Sequence, residues 1–138
     1  MTEAASPRQL ALSVALGVLV GSSPLVGFHS AVALGGASAL RLNRLGAFIG
    51  SNVSFGPMLV ALAWVELRLG CAALGKAPLT GSDAVAIARD NVVAWGLGYA
   101  ALGPLLACFA AAVTWAAATA WLRRARVSSA SERTSAPG

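Results

Sequence analysis

Charged residues divide the chain into three long apolar blocks. No Asp, Glu, Lys or Arg occurs between Arg8 and Arg41, between Arg44 and Glu66, or between Asp90 and Arg123. A helix needs about twenty predominantly apolar residues to cross the hydrocarbon core of a bilayer. The first block is therefore too long for one straight span and too short for two. Its middle reads Gly21-Ser22-Ser23-Pro24 with Gly27 close behind, a combination that stops a helix. The pattern predicts helical segments over 9–22 and 25–40, forming a hairpin that enters the membrane and returns. The alternative is one kinked helix with a long overhang. Irregular backbone at membrane depth must find its partners in protein or water, so a hairpin tip would face the protein interior or a partner chain.

The second block, Leu45 to Val65, has the length of a full crossing, and it predicts a helix over 45–66. Asn52, Ser54, Gly56 and Pro57 place a bend near its middle, and Glu66 with Arg68 marks its exit as a solvated pair. From Lys76 the composition turns polar, with a short helix capped by Ser82 or Asp83, so 76–100 reads as an interfacial loop or short helix. The third block supplies a second full span over 102–123. Trp95, Tyr99 and Trp121 suit headgroup depth at its two ends. Residues 127–138, rich in Ser, Ala, Arg and Pro, read as a disordered tail. The fold expected is all-α: a helical integral membrane protein with one membrane domain over 1–126. A Gly/Pro-broken, re-entrant N-terminal hairpin is followed by two full transmembrane helices.

Composition agrees with that pattern. Of 138 residues, 57% are hydrophobic and 11% charged, and the mean hydropathy is +0.74, which is richer in apolar side chains than soluble domains of this size. The net charge of +5 matters less than where it sits, because Arg123, Arg124, Arg126 and Arg133 follow the last apolar block. Basic residues in that place read as a cytoplasmic flank against anionic headgroups, not as a nucleic-acid surface. Putting Arg8, Arg41, Arg44 and the C-terminal cluster on one side leaves only Arg68, Lys76 and Arg89 on the other, offset by Glu66, Asp83 and Asp90. Both termini are then cytoplasmic, in a bacterial inner membrane. The apolar character continues too far for a cleaved signal peptide.

Few side chains offer chemistry. Cys71 and Cys108 have apolar neighbours and no metal-ligand spacing, so both read as buried packing residues, and no metal or cofactor is expected. No pair of carboxylates, no Ser-His-acid set and no phosphate-cradling glycine loop is present, so no catalytic residue is assigned and the chain does not read as an enzyme. His29, the only histidine, lies just past the Pro24 break. It is either a proton-exchange or headgroup contact, or a neutral ring bonded to a freed carbonyl. Ser23, Pro24, Gly27, His29, Asn43 and Asn52 form the candidate polar site, although the serines and asparagines also suit helix packing and back-bonding to carbonyls. Gly17-Val-Leu-Val-Gly21 is a small-xxx-small pattern for a close helix contact or a self-association face.

An ordered set of residues then suggests a relationship. Ser6-Pro7, Ala11, Ala15-Leu16-Gly17, Gly21, Pro24, Gly27-Phe28-His29, Arg41-Leu42-Asn43-Arg44 and Ser51-Asn52 occur in sequence, with a weaker continuation through Gly103-Pro104. Over roughly Pro7 to Gly75 the chain resembles the uncharacterised prokaryotic membrane family known as domain of unknown function 2062. It departs from that family's pattern at Val53, where a proline is usual after the asparagine. The resemblance implies a multi-pass membrane domain, in some cases attached to cytoplasmic-facing lipid-linked glycosyltransferase domains. The function expected is the binding or movement of a lipid headgroup or small solute at the re-entrant polar site, with membrane lipids as partners and self-association or a partner membrane protein in addition. The alternative is an accessory or anchoring subunit for a membrane enzyme of envelope polysaccharide or lipid metabolism.

Overall fold

The computed structural model describes residues 6–23, 27–52, 57–76, 87 and 91–134, with side chains in the last stretch up to residue 126 and at residue 128. The described residues are all-helical. Five helices follow one another: α1 (Pro7–Gly21), α2 (His29–Ala39), α3 (Arg44–Ser51), α4 (Pro57–Ala73) and α5 (Val92–Thr134). Pro24 and Ser54, and with them Ser82 and Asp83, lie outside the described residues.

Local sequence explains most of the boundaries. Pro7 opens α1 behind a capping box, in which Ser6 Oγ accepts from the Gln9 amide and Gln9 Oε1 accepts from the Ser6 amide, each at 3.2 Å. α2 ends in a Schellman-type turn, with the Leu42 amide donating to the Ala37 carbonyl at 2.8 Å. The left-handed residue of that turn is Arg41, with φ of 54°. At the same place after α4, Gly75 takes φ of 64° and the Lys76 amide donates to Cys71 O at 2.9 Å. α3 starts at Asn43, whose Oδ1 accepts from the Gly46 amide at 2.9 Å.

Three elements differ from the expectation. The block 45–66 is divided into α3 and α4, because Asn52 closes α3 by donating from Nδ2 to Phe48 O at 2.7 Å and Pro57 restarts the chain as the first residue of α4. α4 then continues to Ala73, well past the Glu66 exit, since nothing from Glu66 to Ala73 breaks a helix. α5 begins at Val92 and takes in Pro104, so the expected 102–123 span and the end of the 76–100 interfacial stretch are one helix. Pro104 lacks the amide that would donate to the carbonyl four residues earlier, Gly103 before it spares the ring a Cβ, and the helix continues past both. The helix runs on to Thr134, into the stretch from Val127 assigned to a tail, where Arg, Ala, Ser and Glu offer no break before Pro137.

Two close helix contacts organise the fold. α1 and α3 run parallel: a methyl carbon added at Gly17 would fall 2.8 Å from Gly50 Cα, and one at Gly21 would fall 2.9 Å from Ser51 Cα. The Asn43 amide donates to Ser13 Oγ at 2.8 Å and ties the start of α3 to α1. α2 packs against both. α4 and α5 run antiparallel, with Gly70 against the backbone of Ala94 and Gly98 against the backbone of Glu66. Leu67, Cys71 and Ala94 form the buried cluster there, with Trp95 and Ile87 packed on it. α1 lies on α5, and the Tyr99 hydroxyl donates to Leu19 O at 3.0 Å.

Apolar surface is left open in quantity. Leu105, Phe109 and Trp121 are each at least 67% exposed, and Cys108, expected to be buried, is exposed on the same helix. Among the described residues one helix is long and apolar enough to cross a membrane, Val92–Arg126 within α5, and only 6% of its most apolar stretch is buried by the rest of the fold.

Gly70→Val should lower stability by about 1–3 kcal/mol, because its side chain meets backbone that cannot give way. Gly35→Ala, where an added carbon meets nothing within 4 Å, should be neutral or stabilising by up to about 1 kcal/mol. Thermal unfolding of the two variants in the same detergent checks the contrast.

Candidate functional site

Glu66 occupies the α4–α5 contact with 1% of its surface exposed. The helix spacing explains why. Glu66 and Gly70 are four residues apart and share one face of α4, while Ala94 and Gly98 share the facing stripe of α5. The glycines let the two backbones approach, and the approach brings Trp95 Nε1 within 2.8 Å of Glu66 Oε2, to which it donates. Glu66 Oε1 is buried and has no hydrogen-bond partner among the described residues. Arg68 is exposed two residues further on, on another face of the helix, so the solvated Glu66–Arg68 pair expected from the sequence does not form. The sequence did carry a signal for this burial in the i, i+4 placement of Glu66 and Gly70 and of Ala94 and Gly98. Separation along the chain hid their pairing.

The polar residues expected to form a site serve mostly local structure. Ser23 Oγ donates to Val20 O at 2.6 Å, and the buried Ser22 Oγ donates to Val18 O at 2.9 Å, so both finish α1. Asn43 caps the start of α3 and Asn52 closes its end, which sets them about 13 Å apart along the helix. Gly27 is exposed with φ of 91° and nothing packed against it. His29 opens α2, half-buried and without a hydrogen bond among the described residues. Pro24 is outside the described residues; Asn43 and Asn52 stand at opposite ends of α3, and Gly21, two residues before Ser23, packs on Ser51, next to Asn52. Gly17 and Gly21 sit in the α1–α3 contact.

A groove of about 340 Å³ opens between α1, α4 and α5. Val14 and Val18 line one side, Leu62 another, and Leu106, Phe109 and Val113 the third, with Ser22 and Thr114 as the polar members. Leu62 stands one turn before Glu66 on α4. Ser22 Oγ at the groove's edge lies near Gly103, against which the Tyr99 ring also packs. Among the described residues no three His, Cys, Asp or Glu side chains gather as a metal site would require. The arrangement offers an apolar slot and, a turn away, a single desolvated carboxyl.

In a double-mutant cycle, Trp95→Phe and Glu66→Leu should show a coupling of about 1–2 kcal/mol in unfolding free energy. The indole then costs more to remove when the carboxyl it serves is present.

Nothing among curated proteins or solved structures matches the chain. A family model described as "Uncharacterized protein conserved in bacteria (DUF2062)" matches residues 2–132, nearly the whole length. The chain therefore belongs to the DUF2062 family of uncharacterised bacterial proteins.

Proposed function

We propose that this protein is a small integral membrane protein that binds a membrane lipid, with an acyl chain seated in the groove between α1, α4 and α5. The observation that carries the reading is α5: a stretch of 35 residues, Val92–Arg126, apolar enough to cross a bilayer, 6% buried in its most apolar part, and closed by Arg123, Arg124 and Arg126. At 1.5 Å per residue it reaches about 52 Å, longer than the roughly 30 Å hydrocarbon layer. Water would leave Leu105, Phe109 and Trp121 unsatisfied, and lipid would not.

The groove supports the lipid assignment by its place and its lining. Leu106 to Thr114 fall at the middle of the apolar stretch, where only hydrocarbon is at hand, and all but two lining side chains are apolar. The basic end of α5 faces the cytoplasm in this reading, by the asymmetry of Lys and Arg. With Arg8 on the same side, α4 is the returning element, since it runs antiparallel to α5. The headgroup site expected around Pro24, Gly27 and His29 is not part of the proposal, because Ser23, Asn43 and Asn52 are spent on helix ends.

Cys108 gives a direct test, because alkylation requires a thiolate and therefore water. In a Cys71→Ala background, a hydrophilic maleimide should modify Cys108 to less than about a tenth of completion in intact membranes, and fully after denaturation. A Ser128→Cys thiol in a cysteine-free chain should react from the cytoplasmic face alone. Free reaction of Cys108 in membranes would remove the membrane reading. For the lipid, native mass spectrometry should find phospholipid retained by the wild type and reduced several-fold by Ala110→Trp, which fills the groove. Constant isolation with one partner protein and no lipid would favour the accessory role.

A further inference from the structure

We infer that Glu66 is a proton-binding site, a carboxyl that takes up and releases one proton inside the α4–α5 contact. The inference goes beyond lipid binding and does not rest on it, since the carboxyl is buried by α4 and α5 themselves.

Three observations carry it. Glu66 is the buried acid of the described residues, 1% exposed, and its Oε1 has no hydrogen-bond partner. Its other oxygen accepts one hydrogen bond, from Trp95 Nε1 at 2.8 Å, and an indole N–H donates without adding charge. The two backbones meet at the carboxyl itself, Gly98 against Glu66 and Gly70 against Ala94, so no closer approach of the helices can bring it another donor. A carboxylate held this way lacks the cation or the second and third donors that make a buried charge tolerable. A neutral acid does not need them.

The surrounding titratable groups leave that conclusion in place. On α4 itself, Arg68 is exposed and Cys71 is buried in the apolar cluster. On α5, Tyr99 comes close enough to feel the carboxyl's charge, but its hydroxyl is committed to Leu19 O at 3.0 Å. Ile87 is the described residue of the connecting segment that packs on the cluster, and Lys76 at the start of that segment is exposed. Asp83, Arg89 and Asp90 lie outside the described residues. Releasing the proton places a charge with one hydrogen bond at the closest point between two helices, so occupancy of this site bears on how tightly α4 is held to α5.

Infrared spectroscopy of the full chain in detergent tests the inference, because a neutral carboxylic acid has a carbonyl stretch distinct from that of a carboxylate. The chain has only 5 Asp and Glu residues, and at about pH 6 ordinary carboxyls are ionised. The wild type should show an acid band worth one carboxyl at that pH, lost as the buffer is made alkaline. Glu66→Gln should lack it, whereas a Glu3→Gln, Asp83→Asn, Asp90→Asn, Glu132→Gln variant, which keeps Glu66 as its one acidic side chain, should retain it in full, and this identifies the carboxyl even where Glu66→Gln does not fold. Trp95→Phe should keep the band at a shifted frequency, as the loss of a hydrogen bond to the same group requires. Absence of the band in the wild type at about pH 6, its loss from the variant that keeps only Glu66, or its replacement by a carboxylate signal when sodium chloride replaces choline chloride at constant pH would each overturn the inference. The last result would point to a sodium ion in place of a proton.

Discussion

Backbone-to-backbone approach of helices is the constraint on which the rest depends. At Gly17 and Gly50 between α1 and α3, and at Gly70 and Gly98 between α4 and α5, there is no room for a side-chain carbon. Such contacts gain from dispersion over a close surface and not from hiding large side chains from water, which suits a chain whose fully buried residues include few of any size. Many large apolar side chains, Leu105, Phe109 and Trp121 among them, are exposed, whereas Leu67 is buried. A water-soluble helical domain is built the other way round, with leucines and aromatics inside and small polar residues on the surface.

The same closeness has a chemical consequence at Glu66. A longer interhelical distance would let water reach the carboxyl, and a contact offset by one residue would turn it to the surface beside Arg68. The pairing of Glu66 with Gly98 and of Gly70 with Ala94 does neither, and it delivers Trp95 as the one hydrogen-bond donor. The apolar groove arises from related geometry. α1 meets α5 around Tyr99 and Gly103, and beyond that meeting the side chains of α1, α4 and α5 leave a slot with little polar lining.

Prolines in this chain act according to their neighbours. Pro7 begins α1 behind its capping box and Pro57 begins α4, both at positions where a missing amide costs nothing. Pro104 lies inside α5 and leaves it continuous although it gives up one backbone donor, and Gly103 before it presents no Cβ to the ring. The span expected over 102–123 already included Pro104, and the structure begins that helix earlier, at Val92.

The all-helical character, the break after Gly21 and the family were legible in the amino-acid pattern, whereas the starts of α1 and α3, expected at 9 and 45, lie at the capping residues Ser6 and Asn43. These follow from short-range rules, in which capping, proline geometry and the spacing of charges act within a few residues. Tertiary contacts were needed to show that Glu66 is buried and Cys108 exposed, and that the continuous helix begins at Val92. Each of these depends on which face of one helix meets another across tens of residues. Residues 66 and 98 become neighbours only when the glycines of both helices are brought together, and a one-dimensional pattern carries no record of that pairing.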